Sequence, residues 1–384
     1  MSQVDEDGVL YNRMEWAAAE LIASGIPRQN AIRTITDSVH DVLYRHGDRI
    51  AEELIADSNR ILIPERQIEQ SFKAHLRVLW GEAFDLMYLV GYATAECADQ
   101  FIHRYHEVCA HDDVFHSLVR LHERSRRVFW EVHCLLAGGF PGGAHARART
   151  LYELAVVATV IAEYGRQTAT DNIATRYLDH AVIGELAMLE FEIGLEEERG
   201  YEIPRDLSEK VVQLRVEVDH VKHRHGDHYE RSTGWAIPLL PLLPAGRRPR
   251  HKKTPSIADL EFLAGKGYMR AAYGLMSAEV HAGADGLVHN LDQRSNSESP
   301  LGPISIIGPD STGLAEPGRQ ASWFLHLSTW ALITAATGYE QIPIADFVAL
   351  RTLEGMIRRY IEASDRAEET TRAQNGTVSE PAPE

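Results

Sequence analysis

At residues 145–165 the chain reads HARARTLYELAVVATVIAEYG, a segment with the composition of a long α-helix packed among other helices. It has no proline and no internal glycine, and its apolar residues recur at the steps of three and four that characterise a helix. A Pro-Gly-Gly run at residues 141–143 marks a break before it. The sequence therefore predicts a helix over residues 144–164. Arg149 and Glu153 lie four positions apart on it and share one face.

Similar apolar spacing, with capping residues at the ends, continues through most of the chain. It predicts further helices at residues 10–23, 29–46, 48–60, 68–106, 114–137, 172–193, 204–225, 257–264, 267–281, 319–338 and 344–366. We therefore predict an all-α fold, a multi-helix bundle with an additional N-terminal helical layer and one long Pro- and Gly-rich insertion.

Changes in composition suggest three regions. Residues 1–64 form the N-terminal helical segment, because Pro64 is expected to begin a new segment. Residues 65–366 form the main bundle. Within it, residues 229–255 are predicted to be a Pro- and Arg-rich surface loop, because its prolines interrupt any helix. Residues 367–384 are polar and are predicted to be a disordered tail.

Composition limits the classes of function. The 384 residues carry a formal net charge of −17, which on average repels nucleic acid, and the chain has no strong nucleic-acid-binding signature. Its three cysteines form no CxxC pair, which favours a reducing, cytoplasmic compartment. We find no secretory signal and no apolar stretch long enough for a membrane helix. Nucleotide-loop, dinucleotide-binding and hydrolase motifs are absent, so no cofactor is expected.

The predicted helix 267–281 carries a second group of polar residues. Arg270, Ser277 and His281 fall within a narrow stripe together with Gly274, and Tyr273 lies beside it. Gly274 would allow another backbone or a ligand to approach closely. His281 is either a C-terminal cap, with Ser277 packing, or a general acid/base or ligand-binding group.

A histidine cluster lies near the end of helix 204–225. It comprises His220, His223, His225, Asp227 and His228. Imidazole and carboxylate groups can bind zinc, but the spacing matches no standard site. We therefore predict a solvated helix end and no bound metal.

Four sequence pieces occur in an order that resembles the bacterial family known as domain of unknown function 5677. They are Arg149 to Glu153, Arg176 with Tyr177, Trp235 followed by residues 256–260, and Tyr273 to His281 with Ser277 between them. The resemblance covers roughly residues 110–290, and the stretch 236–255 departs from it as an insertion. It implies that six polar side chains converge between facing helices, where bundles often place sites, namely those of Arg149, Glu153, Arg176, Tyr177, Ser277 and His281.

Two functions are compatible with these residues. The first is a helical interaction module, with a buried Arg/Glu/Ser/His network, that binds a protein partner or a second copy of the chain. The alternative is a nucleotide- or RNA-cleaving enzyme of a defence or toxin system. There His281 would be the acid/base, assisted by Glu153 and Ser277, and Arg149 and Arg176 would hold phosphate. Tyr177, Arg270 and Tyr273 are the other candidate ligand-binding residues.

Overall fold

The computed structural model describes residues 24, 46–166, 173–247, 254–278, 280, 308–337 and 342–377. All regular secondary structure in these ranges is helical, which confirms the predicted all-α bundle. The predicted helices at residues 10–23 and 29–46 lie almost entirely outside the described residues. No helix in the described ranges combines the length and apolar character needed to cross a membrane.

The α-helices are numbered in chain order. They are α1 Ser58–Tyr105, α2 Asp113–Ala137, α3 Pro141–Tyr164, α4 Ile173–Asp179, α5 Ala181–Glu198, α6 Arg205–His225, α7 Ile257–Leu263, α8 Arg270–Ala278, α9 Ala315–Thr337 and α10 Ile344–Thr377. Short 3-10 helices lie at Asp227–Glu230, Gly234–Leu242 and Gly267–Met269.

The chain divides into two compact units, Met1–Ala74 and His75–Glu384. What is described of the first unit, apart from Ser24, is helical from residue 46 to residue 74 with one turn residue at Asp57. The second unit contains the helices α2 to α10 and the larger part of α1. All of the predicted site residues, from Arg149 to His281, belong to the second unit.

The core of the second unit lies where α2, α3 and α9 pack against one another. Leu151 of α3, Phe129 of α2 and Phe324 of α9 are fully buried there. Helix α2 starts where the sequence predicts, because the Asp112 side chain accepts hydrogen bonds from two backbone N–H groups of its first turn. Helix α10 packs against α9. Helix α3 packs against both α2 and α9, and it carries Arg149 and Glu153.

Helix α1 is continuous through Pro64. The prediction that Pro64 begins a new segment is therefore wrong. A proline inside a helix removes one backbone hydrogen bond, and Pro64 is exposed, so water can reach the carbonyl that it leaves unpaired. The helix consequently persists on both sides of it.

The predicted surface loop at residues 229–255 is folded into the protein as far as residue 247. It contains the 3-10 helix Gly234–Leu242 with two prolines inside, and Trp235, Leu239 and Leu243 are buried. A proline lacks only its own N–H donor, so the neighbouring residues still close tight turns, as Leu243 does by donating to the Leu240 carbonyl. The surface-loop prediction is wrong for residues 229–247, and residues 248–253 lie outside the described part.

Two helix boundaries also differ from prediction. The helix predicted at 172–193 is divided at His180 into α4 and α5. The last helix was expected to end at Arg366 but continues to Thr377. Glu368 and Thr371 are buried there, and the Glu368 carboxylate accepts the Gly313 backbone N–H at 3.0 Å. This tertiary contact holds polar sequence in a helix, so the predicted disorder is wrong for residues 367–377.

Candidate functional site

Three side chains from two helices form a closed ring of hydrogen bonds. Arg149 and Glu153 of α3 are joined by Nε donating to Oε1 at 3.2 Å. The Arg149 Nη2 group donates to the Tyr273 hydroxyl of α8 at 2.8 Å. That hydroxyl in turn donates to Glu153 Oε1 at 3.1 Å. The predicted Arg–Glu pair is therefore present, and it binds a third partner from a distant part of the chain.

The electrostatics of the ring keep Tyr273 protonated. Burial and the Glu153 carboxylate raise the pKa of Tyr273, and the Arg149 guanidinium opposes them. At neutral pH the hydroxyl is thus a donor to Glu153 and an acceptor from Arg149. The Arg149 guanidinium also lies 4.8 Å from the centre of the Tyr273 ring, close enough for a cation–π contact.

A second ion pair extends this cluster. Arg270 Nη1 donates to Glu261 Oε1 of α7 at 2.8 Å, and the Arg270 guanidinium lies 4.7 Å from the Tyr273 ring centre. The Glu261 side chain is 1% exposed whereas that of Arg270 is 50% exposed. A buried carboxylate is stable only when it is paired, so Arg270 neutralises a charge that the fold encloses.

Tyr152 lies beneath this cluster on α3. Its ring is tilted against Tyr273 at 5.6 Å between ring centres. Burial, and then the Glu261 carboxylate, raise the pKa of Tyr152 well above its usual range. Its hydroxyl makes no well-directed hydrogen bond within the described residues. Glu261 therefore raises the pKa of Tyr152 mainly because its negative charge opposes ionisation of the phenol. We name the set Arg149, Tyr152, Glu153, Glu261, Arg270 and Tyr273 the α3–α8 cluster.

Ser277 is held by its own helix. Its hydroxyl donates to the Tyr273 backbone carbonyl at 2.7 Å, one turn earlier. Gly274 has nothing within 4 Å of the position that a Cβ would occupy, so none of the described atoms makes the close approach that the sequence suggested. His281, the predicted acid/base, lies outside the described residues.

Arg176 belongs to a different network. It is 2% exposed, and its Nε donates to the Trp235 carbonyl at 2.9 Å. Its Nη2 donates to the carbonyls of Gly234 and His225, and its Nη1 to His225 Nδ1. The Tyr229 hydroxyl returns a hydrogen bond to the Arg176 carbonyl. We name this set, with Tyr177 and Asp179, the Arg176 cluster.

The Arg176 cluster determines which ring nitrogen of His225 carries the proton. Because arginine can only donate, His225 Nδ1 accepts from it, and Nε2 carries the proton that is donated to Asp179 Oδ2 at 2.8 Å. The His225 side chain is only 4% exposed. The prediction of a solvated helix end is therefore wrong for His225, because Arg176 and Asp179 bury it, while His220 and His223 are exposed. No group of three or more metal-binding side chains occurs among the described residues.

Tyr177 packs its ring edge-on against Trp235, with 5.1 Å between ring centres. Burial raises the pKa of Tyr177, so its hydroxyl stays protonated. Like Arg176, it contacts the 3-10 helix Gly234–Leu242.

The predicted site residues are thus divided between two clusters. Arg149, Glu153, Arg270 and Tyr273 are brought together, with Ser277 on the same helix as the last two. Arg176 and Tyr177 have their described contacts in the Arg176 cluster.

Sequence reasoning missed Glu261 and Tyr152 in the first cluster. Glu261 stands between Leu260 and Phe262 in a short apolar helix, where its charge was a signal of pairing. Tyr152, next to Glu153 in an apolar stretch, gave no separate signal.

A buried histidine in the core was missed as well. His122 of α2 is 1% exposed, and its Nε2 lies 3.1 Å from the Thr329 hydroxyl of α9. Burial lowers the pKa of His122 to about 3, so it is neutral at physiological pH. One helix turn away, the Ser125 hydroxyl donates to that of Ser328 at 3.2 Å. These contacts join α2 to α9 by polar groups inside the core.

Comparison with protein families gives a match over part of the chain. Residues 115–299 match the family described as "Family of unknown function (DUF5677)". This range contains every named residue of both clusters. It agrees with the resemblance seen in the sequence. No curated protein and no solved structure shows significant similarity to the chain.

Proposed function

We propose that the chain, whose residues 115–299 match the DUF5677 family model, acts as a helical interaction module whose polar clusters hold its helices in register. The observation that supports this most directly is the closed ring of Arg149, Glu153 and Tyr273. Each of the three donates to or accepts from the other two. Such a ring is satisfied only when α8 lies at one position along α3.

The Arg176 cluster supports the same role. Arg176 on α4 binds the carbonyls of Gly234 and Trp235, and so attaches the 3-10 helix Gly234–Leu242 to α4. A buried cation surrounded by backbone carbonyls fixes a chain segment, since displacing the segment would leave the charge unpaired. Both clusters thus join distant segments of the domain.

A module of this kind also requires a surface for a partner. Helix α5 exposes large apolar side chains, with Met188 57% and Phe191 68% exposed.

The three cysteines, Cys97, Cys109 and Cys134, are free thiols. Free thiols are typical of a reducing compartment, so we place the protein in the cytoplasm.

A nucleotide- or RNA-cleaving enzyme is the second candidate. It is favoured by the access of solvent to the α3–α8 cluster, since the Arg149 and Glu153 side chains are 18% and 39% exposed. In this candidate His281, four positions after Ser277, is the acid/base and Arg149 holds phosphate. Arg176 would have to release backbone carbonyls to bind phosphate, which makes it a poor participant.

One comparison separates the two candidates. Wild type, His281→Ala and Glu153→Gln are each incubated with a panel of RNAs and nucleotides, and their melting temperatures are recorded. The interaction module predicts no turnover by any of the three proteins. Turnover by wild type that both variants lose, at unchanged melting temperature, would establish the enzyme and overturn the module.

A further inference from the structure

We propose that the outer face of α5 is a docking site for a basic amphipathic helix of a partner protein. This inference rests on the proposed interaction function and identifies the chemistry of the partner. The face consists of Gly184, Met188, Phe191 and Leu195, which we name the α5 seam.

The α5 seam has the spacing of a helix–helix interface. Its members follow one another at steps of four, three and four, so they form one straight stripe roughly 16 Å long. Gly184 is exposed, with nothing within 4 Å of the position that a Cβ would occupy. A partner helix could therefore approach closely at this end and pack against Met188 and Phe191 further along.

The opposite face of α5 is already occupied. Leu189 packs with Val211 and Leu214 of α6, and the neighbouring Leu186 and Ile193 complete that contact. Helix α5 is therefore apolar on two opposite faces, while α6 covers only one of them. A helix that is apolar all round is typically buried all round, so the α5 seam is suited to a second partner.

The charges around the α5 seam indicate what that partner is. Helix α5 contains six glutamates and no lysine or arginine. Glu185 and Glu190 are paired with Lys210 and Arg215 of α6, at 2.7 and 2.8 Å. Glu196 is paired with the following Arg199.

Two glutamates of α5 are left to flank the seam. Glu192 and Glu198 lie on opposite sides of it, are exposed and have no ion pair within the described part of the chain. Glu197 stands eleven positions after Leu186 and so shares the face that packs against α6. A helix with an apolar stripe flanked by lysine or arginine would complement both the seam and the two flanking carboxylates.

The same charges disfavour a second copy of this chain as the occupant. Two α5 helices packed seam to seam would bring glutamates of both copies to the same interface, with no basic residue on either α5 to separate them. Like charges at helix flanks oppose pairing. The basic partner is the occupant that the charge pattern favours.

The test uses a labelled synthetic peptide of about three heptads, with leucine at the seam positions and lysine at the flanks. Its binding to the full chain is measured by fluorescence anisotropy. A peptide with the same leucines and glutamate flanks is the reference. We expect the lysine peptide to bind, the glutamate peptide to bind at least about tenfold more weakly, and Phe191→Gln to weaken binding of the lysine peptide on the order of tenfold.

Val78→Gln is the matched control, because Val78 is an 82% exposed apolar residue on α1. Its binding should equal that of wild type. Unchanged binding in Phe191→Gln, or equal weakening in Val78→Gln, would show nonspecific attraction of the basic peptide and overturn the proposal. Self-association that Phe191→Gln abolishes would identify a second copy as the occupant and overturn it as well.

The results distinguish failure of the basic-partner proposal from failure of the proposed interaction function. Absence of peptide binding together with absence of turnover would refute the basic partner and leave the interaction module standing. Turnover of RNA or nucleotide would refute the interaction module, whether or not the peptide binds.

Discussion

Arg149 and Tyr273 stand 124 positions apart in the chain and are joined by a hydrogen bond of 2.8 Å between Nη2 and the phenolic oxygen. Because Tyr273 also donates to Glu153, this bond closes a ring between α3 and α8. The ring explains why a charged pair occurs in a helix whose other residues are mostly apolar and buried. The ring attaches α8 to α3. Helix α8 otherwise buries few side chains.

Removal of the Tyr273 hydroxyl should destabilise the protein. Tyr273→Phe keeps the ring but loses the hydrogen bonds to Arg149 and Glu153, both of which are charged. We expect a loss of about 1–3 kcal/mol in the free energy of unfolding, measured by urea denaturation. Tyr268→Phe is the control, because Tyr268 is 72% exposed, and it should have almost no effect. Equal effects of the two substitutions would mean that the ring contributes nothing.

The Arg270–Glu261 pair should contribute more to the free energy of unfolding than an exposed pair at the same distance. Arg270→Ala leaves the buried Glu261 carboxylate without its partner, and we expect a loss of about 1–3 kcal/mol. Arg205 and Glu209 are also 2.8 Å apart, but their side chains are 92% and 60% exposed. Arg205→Ala should therefore change the free energy of unfolding by less than about 0.5 kcal/mol. If the order of these two effects is reversed, burial does not strengthen the Arg270 pair.

His122 should make stability depend on pH. Its pKa is lowered from 6.5 to about 3 in the folded protein. Below about pH 6.5, His122 is therefore protonated in the unfolded chain but remains neutral in the folded protein. The stabilisation is complete above that pH and is lost progressively as the pH falls towards 3. Between about pH 7 and pH 5 the expected loss from His122 is on the order of 1–2 kcal/mol.

The measurement is urea denaturation at the two pH values. His122→Gln, which cannot titrate, should show a smaller decrease in stability than wild type. The exposed His220→Gln should behave as wild type does. A decrease of the same size in all three proteins would assign the pH dependence to other groups.

Gly318 should not tolerate a side chain. A Cβ at this position would overlap the Tyr360 hydroxyl and lie 2.9 Å from its Cζ and 3.0 Å from Leu136 Cδ1. We expect Gly318→Ala to lose about 1–3 kcal/mol through overpacking. Gly355→Ala, in a helix with nothing within 4 Å of the new Cβ, should instead gain up to about 1 kcal/mol. Tyr360→Phe should partly rescue Gly318→Ala, and failure to do so would place the strain elsewhere.

Local patterns predicted the elements that depend on local interactions. The helix at Arg149 and the start of α2 at Asp112 follow from apolar spacing and capping, which act within a few residues. The Arg149–Glu153 pair follows from a spacing of four. Their contact with Tyr273 depends on tertiary packing, which no local pattern displays.

Two of the errors arose where tertiary contacts outweigh local preference. Trp235 and Leu239 bury a proline-rich segment that looked like a surface loop, and Arg176 secures it through carbonyls that no sequence pattern displays. Glu368 extends α10 by binding the Gly313 backbone. In each case the decisive partner is a backbone group far away in the sequence.

The central claim is that Arg149, Glu153 and Tyr273 act as one unit that holds α8 on α3. The most direct test is a double-mutant cycle with Arg149→Met, Tyr273→Phe and the double variant, in which the free energy of unfolding is measured for all four proteins. We predict that the double variant is less destabilised than the sum of the single variants, by about 1 kcal/mol or more. Strictly additive effects would contradict the account, since they would show that the two residues stabilise the protein independently.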